Sequence, residues 1–274
     1  MQLFTKAGTG RGLNDKANKL RETILVSLSA QSSSEEYPEL YMHWTNCLRS
    51  LCPVPYDTWK CTKQAGRGKN YDFDIVYHKE NTVVHSVKAE FKHNARTITN
   101  LPQYWSPCAN KPYIPVLYAD YFYDNYSDKL QSFVSVPKPS KEEYLRMVHQ
   151  DDYSVHPFFQ TLYDQEKTFY KEKQAIVRES IANYLQTHGH LLDCVKLTED
   201  IRSRQNGKTF LLWDKTTFHV ETLADEDMEV THIDSITKNT IIVATKGSAK
   251  HELLLRWKNH LGVLFPAWQI SLTR

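Results

Sequence analysis

A chain of 274 residues, 41% hydrophobic and 24% charged, is long enough to bury one large core or two small ones and has the balance of a globular protein. A formal net charge of +2 excludes a polycation that holds its partners by charge alone. No apolar run approaches the length of a bilayer span, so a membrane partner is not expected. The first residues, MQLFTKAGTGRG, carry no apolar signal core, and an intracellular protein of cytoplasm or nucleus is expected. The five cysteines (Cys47, Cys52, Cys61, Cys108 and Cys194) are odd in number and lack the paired short spacings of common zinc modules. They read as reduced structural thiols.

Residues 1–12 read as a basic arm. Asn14 then precedes a helix with Ala17, Leu20, Ile24 and Leu28 on one face. The serines of QSSSEEYPEL can cap a second helix, with Glu35, Glu36 and Pro38 in its first turn, running through Tyr41, Trp44 and Leu48. Residues 63–70, KQAGRGKN, read as a mobile basic loop. With Lys60, Lys63, Arg67 and Lys69, the stretch 60–69 holds no acid. The run YDFDIVYHKENTVVHSVKAEFKHN is a β-hairpin, with apolar, β-branched and aromatic residues on both sides of a polar turn near Glu80 and Asn81. A loop-rich stretch, NLPQYWSPCANKPYIP, leads to a short strand or helix at VLYADYFYD. Helices are expected over 141–149, about 163–187 and 191–204. Six short β-like runs follow, from TFLLWD to PAWQISL, and the tail from Lys246 to Arg274 is basic with Glu252 its only acid.

The order is helices, a central hairpin, more helices and a β-rich C-terminal third, which is an α/β (α+β) layout. The turn to strands near Asn206-Gly207 is the plausible boundary. It divides a core of residues 1–205 from a C-terminal region of residues 206–274 that packs on it or belongs to the same domain.

The hairpin carries the chemistry. The start of its first strand lies beside the end of its second, so Asp74 and the pair Glu90 and Lys92 fall at one end. Residues two apart on a strand share a face, so Glu90 and Lys92 project together while Ala89 and Phe91 face a core. Two carboxylates and an ammonium converging at a sheet end are unfavourable unless compensated, and a divalent cation compensates them. Oxygen-only ligands suit Mg²⁺, with Mn²⁺ as a substitute, held between Asp74, Glu90 and the backbone carbonyl of Phe91. Such a cation activates water and stabilises charge on phosphate oxygens, and Lys92 would orient that water or help deprotonate it.

Asp74 before an apolar strand, followed by Glu90-Phe91-Lys92 at the end of the next, resembles the PD-(D/E)XK nuclease superfamily, the fold of many restriction endonucleases. The resemblance spans roughly residues 14–120. It implies a mixed sheet flanked by helices and metal-dependent phosphodiester cleavage. DNA is expected as substrate before RNA because most of that family cuts DNA. Phe73 stands where the family name has proline, and Asp72 is an alternative ligand if the register shifts. An acidic residue from the leading helix joins the site in many members, which points to Glu22, then to Glu36 or Glu39. Lys63, Arg67, Lys69, His93, Asn94, Arg96, Gln103, Arg256 and Lys258 are the expected nucleic-acid contacts. Cutting both strands suits a homodimer. Two other readings stay open: an RNA endonuclease with the same triad, and a protein that holds nucleic acid without cutting it.

Overall fold

The computed structural model describes residues 4, 13–30, 34–64, 71–99, 101–108, 112–149, 156–165, 168–259 and 264–273, and of these only the backbone of residues 13–15, 102–103, 258–259 and 264. Arg67 and Lys69 lie outside the described residues. The fold is mixed α+β, with eight α-helices and two five-stranded sheets among the described residues. Among the described residues no helix is long and apolar enough to cross a membrane.

The chain forms two units. One holds residues 1–98 and 202–225, the other residues 99–201 and 226–274. The boundary read at 205/206 therefore falls inside the first unit, because the chain has already returned to it at Arg202.

In the first unit, helices α1 (Leu13–Ser29) and α2 (Pro38–Ser50) precede strands β1 (Thr58–Lys63), β2 (Phe73–Lys79) and β3 (Thr82–His93). Strand β4 (Pro102–Pro107) and three helices, α3 (Tyr118–Gln131), α4 (Lys141–Met147) and α5 (Pro157–Asp164), follow in the second unit. So do α6 (Tyr170–His188) and most of α7 (Cys194–Gln205). The chain then returns for β5 (Lys208–Trp213) and β6 (Phe218–Thr222). The first sheet runs β1-β2-β3-β5-β6, antiparallel except for the parallel pair β3 and β5. The two-residue turn between β2 and β3 needs positive φ at both positions to match strand twist, and Glu80 (49°) and Asn81 (65°) supply it.

One face of this sheet is apolar because alternate residues are: Phe73, Ile75 and Tyr77 on β2, Val87, Ala89 and Phe91 on β3, and Leu211 and Trp213 on β5. Leu25 and Leu28 of α1 and Leu40, Trp44 and Leu48 of α2 cover that face. Trp44 is wholly buried and donates its indole N–H to Ser29 Oγ at 2.8 Å. The Tyr77 hydroxyl donates to the Leu48 carbonyl at 2.6 Å, which ties the end of α2 to the sheet.

Three expectations are corrected. Helix α2 begins at Pro38 after Tyr37, with no side-chain cap, and Glu35 and Glu36 precede it. The helix-compatible proline at its first position sets the start instead. Residues 58–63, the start of the acid-free basic stretch, form a strand that the sequence pattern does not mark, since Cys61 buries into the core while Lys60 stays exposed. Residues 102–107 are a strand in the second sheet, so the strand beside β3 is β5, more than a hundred residues later, rather than one within 14–120.

The second unit ends with α8 (Asp225–Met228), which spans the unit boundary, then β7 (Val230–Ile236), β8 (Thr240–Thr245), β9 (Lys250–Asn259) and β10 (Leu264–Thr273). Its sheet, β4-β10-β9-β8-β7, is antiparallel throughout. Alternating buried residues, Leu253, Leu255 and Trp257 on β9 among them, form its core face. The Trp257 ring meets Tyr118 and Phe122 of α3 edge-on. All five cysteines are free thiols, three of them buried.

Candidate active site

The register of the hairpin decides where its charged residues go. Phe73 pairs with Ala89 and Asp74 with Lys88, so Asp74, Lys88, Glu90 and Lys92 all lie on the face away from the α1/α2 core. The parallel partner β5 brings Lys208 beside Lys88 on that same face. Glu90 is thereby gripped at both oxygens. Lys92 Nζ is 2.5 Å from Oε1 and Lys208 Nζ is 2.6 Å from Oε2. Only 8% of Glu90 is exposed and only 4% of Lys208, so the pair is drawn out of water and each charge relies on the other. Burial lowers the Lys208 pKa, and Glu90 opposes that shift.

Asp74 and Asp72 divide the work differently from the spacing argument. The Asp74 carboxylate accepts from the Gln64 side-chain amide and, at 3.4 Å, from the Tyr71 hydroxyl. Asp72 sits one step before β2. Its N–H donates to the Ala89 carbonyl at 2.9 Å and its Oδ2 accepts the Phe91 N–H at 2.8 Å. A side-chain oxygen thus takes the place of a missing strand partner and joins the start of β2 to the Glu90-Phe91-Lys92 triplet. Burial pushes the Asp72 carboxyl up to about 6; the Phe91 N–H opposes the rise, Glu22 and Glu90 add to it and Lys92 opposes it. Two other carboxylates are therefore felt at Asp72.

Glu22 reaches this point from α1, on the other side of the sheet, because the ladder has ended there. Lys63 fixes it, with Nζ 3.0 Å from Glu22 Oε2 and 2.7 Å from the Lys19 carbonyl. The N–H and C=O of a strand residue face the same neighbour, so the Phe91 carbonyl points with its N–H toward Asp72. Asp72 and the main chain of Phe91 thus meet at the end of one hairpin, where the charges of Glu22 and Glu90 are felt at Asp72. Among the described residues, no group of three or more His, Cys, Asp and Glu side chains is close enough to hold a metal ion as it stands.

No protein-family model matches the chain, and neither a curated protein nor a solved structure matches it.

The other residues singled out from the sequence scatter. Lys63 is committed to α1. His93 shares a hydrogen bond of 2.8 Å with the Phe4 carbonyl, and burial lowers its pKa. Asn94 is exposed at φ 59°, where the chain turns out of β3. Arg96 Nε donates to Asp214 Oδ2 at 2.8 Å in the turn between β5 and β6. Gln103 lies on β4 of the second sheet, as Arg256 and Lys258 do on β9. The Arg256 guanidinium lies over the Trp105 ring at 5.2 Å. Glu39 stands in the first turn of α2 and Glu36 precedes that helix, and both are exposed.

Lys208 and Gln64 are the residues that sequence spacing missed. Lys208 opens a run of apolar strand residues, and a lysine there is a signal only once β5 is known to pair with β3. Gln64 directly follows β1, a strand hidden by its lysines.

Proposed function

We propose that this chain is a metal-dependent endonuclease that hydrolyses DNA phosphodiester bonds, with Asp72 and Glu90 as the principal carboxylates and Lys92 as the catalytic lysine. One observation carries the reading: Asp72 closes on the main chain of Phe91 while its carboxyl is raised by burial and by Glu22 and Glu90. Carboxylates held together against their own repulsion are what a bound cation relieves. The oxygen-only donor set fits Mg²⁺, or Mn²⁺ in its place. Asp74 supports the site through Gln64 and Tyr71. The mixed sheet with a leading helix and central hairpin supports the resemblance to PD-(D/E)XK nucleases.

A bound cation would supply an activated water and offset charge on the scissile phosphate. The rest is done by side chains. Lys92 carries a positive charge beside Glu90, where it can meet the phosphate oxygens as negative charge develops. Lys208 holds the second Glu90 oxygen and fixes the rotation of that carboxylate, which makes it a positioning residue. Exposed Lys60 and Lys88, on the same face, give a nucleic-acid backbone two further cations to follow.

A second reading rests on a different observation. Both Glu90 oxygens are already neutralised by lysines, which suits a protein that binds nucleic acid without cutting it. Incubation of plasmid DNA and single-stranded RNA with the pure protein in Mg²⁺, Mn²⁺ or EDTA separates the two. The nuclease reading expects metal-dependent cutting of DNA, reduced on the order of 10²- to 10³-fold in Asp72→Asn, Glu90→Gln and Lys92→Ala. It also expects calorimetric Mn²⁺ binding that weakens in the first two variants. Salt-sensitive binding with no cutting in any metal favours the second reading.

A further inference from the structure

The second unit contains a cleft of about 510 Å³ between α6 and the end of β9. That is the size of a small-ligand site. Its floor is apolar, with Val177 and Ile181 of α6 set against Leu254 and Leu255 of β9. Its rim carries three exposed cations, Arg178, Lys238 and Arg256, the last with its guanidinium over the Trp105 ring at 5.2 Å, and no Asp or Glu is among the described residues that line it. No ion pair joins any of the three to a described acid. A neighbouring cavity shares Ala182 and Lys238 with it and continues along α6 to Gln186. The trough therefore follows α6 for about 24 Å at the usual helical rise of about 1.5 Å per residue.

The strand register explains why the trough exists. Strand β8 begins at Thr240, paired with Leu254, and beyond that point the β8-side edge of β9 has, among the described residues, the bond from the Leu255 N–H to the Asn239 carbonyl, while its other edge stays paired with β10. The next residue turned the same way is Trp257, so its main-chain N–H and C=O face the cleft while its ring is buried. At the other end Tyr170, 45% exposed, places an aromatic ring at the mouth. Gln174 and Asn239 place amides between the two.

We infer that this cleft is a second nucleic-acid site, one that takes a short single strand, with phosphates on Arg178, Lys238 and Arg256 and a base stacked on Tyr170. An apolar floor, an aromatic platform and a rim of one charge are what a single strand requires, since bases need stacking partners and the backbone needs cations. A double helix would offer the apolar floor nothing. The site lies wholly in the second unit and does not rest on the catalytic reading.

The test uses the full-length protein in EDTA with a hexathymidylate carrying one 5-iododeoxyuridine. Photo-cross-links are expected at Tyr170 and within residues 254–257. The triple variant Arg178→Glu, Lys238→Glu, Arg256→Glu should bind at least about tenfold more weakly, and the slope of log affinity against log salt should fall by about 2, roughly 0.7 for each phosphate that the protein no longer neutralises. Tyr170→Ala should lose the cross-link and Tyr170→Phe should keep it. All four side chains are exposed, and a thermal melt checks that the variants fold. Unchanged affinity in the triple variant, or cross-links confined to the first unit, overturns the inference. So does displacement of the oligonucleotide by a hexaglutamate at equal concentration, which would assign the cleft to acidic peptide. Cutting of DNA by wild type with no cross-link in the second unit would sink this site and leave the nuclease reading standing.

Discussion

Asp72 and Phe91 are joined by a single hydrogen bond from a main-chain N–H to a carboxylate oxygen, 2.8 Å long, at the place where β2 has not yet begun. That bond holds the acid against the strand carrying Glu90 and Lys92, and it keeps a half-buried carboxyl where desolvation and two neighbouring carboxylates disfavour its charge.

Asp72→Asn should therefore make the protein more stable at neutral pH while lowering metal-dependent cleavage on the order of 10²- to 10³-fold. A carboxyl raised to about 6 in the folded state favours the protonated form there. Wild-type stability accordingly falls as pH rises from the unfolded value near 4 to about 6, and is level above that. At pH 7 the variant should be ahead by on the order of 2 kcal/mol, with the gap closing by about pH 4. Urea titrations at the two pH values measure this. A variant less stable than wild type at pH 7 would mean that the carboxylate is structural and unopposed.

Lys208→Met should leave Glu90 nearly buried with Lys92 as its remaining cation. Breaking a buried pair at one partner costs about 3–5 kcal/mol, and the residual Lys92 contact should hold the loss to the lower end of that range. Adding Glu90→Gln should recover a large part of the loss, because the stranded charge is then gone. A double variant no more stable than the single one would show that Lys208 contributes through packing on Phe210, whose ring its Nζ overlies at 5.7 Å.

Asp214 organises the turn between β5 and β6. It accepts from the Thr216 hydroxyl at 2.6 Å, from the Thr216 and Thr217 N–H groups at 2.9 Å, and from Arg96 Nε at 2.8 Å. The Thr216 hydroxyl, His219 and the Thr217 N–H hold its carboxyl far below the usual range. Its contribution is complete above about pH 4, where the unfolded chain is also ionised, and is lost as pH falls toward the lowered folded-state value. Asp214→Asn should cost on the order of 1–2 kcal/mol at pH 7. Its acid unfolding profile below about pH 4 should be flatter than that of wild type. Parallel profiles in guanidinium titrations at pH 7 and pH 2.5 would refute the account.

Gly247 turns between β8 and β9 directly against Asp227. An added Cβ would lie 3.1 Å from the Asp227 main-chain nitrogen and closer still to its carboxylate, which accepts the Ala249 N–H at 3.0 Å. Gly247→Ala should destabilise the second unit by about 1–3 kcal/mol through this overlap. A thermal melt followed by the near-ultraviolet signal of Trp257 and Trp268 would report it, and an unshifted midpoint would show that the turn yields freely.

Local pattern alone determined a good deal of this protein. Apolar, β-branched and aromatic runs bounded by polar turns marked the central hairpin and the six C-terminal strands, although a strand such as β5 is buried on nearly every residue and does not alternate. The 3.6-residue stripe marked α1 and α2 as helices, although α1 buries Arg21, Leu25 and Leu28 and leaves Leu20 of the expected stripe exposed; two-residue spacing put Glu90 and Lys92 on a shared face. Tertiary structure decided the rest. Strand β1 was masked by lysines whose long stems reach water or α1 although the backbone is paired. The partner strand β5 lies more than a hundred residues from β3, and no local signal encodes a non-local pairing, so Lys208 stayed invisible. The choice of Asp72 over Asp74 for the Phe91 N–H turns on where the β2–β3 ladder ends, two residues earlier than the apolar run suggests, and that depends on where neighbouring strands stop rather than on the residues' own preferences.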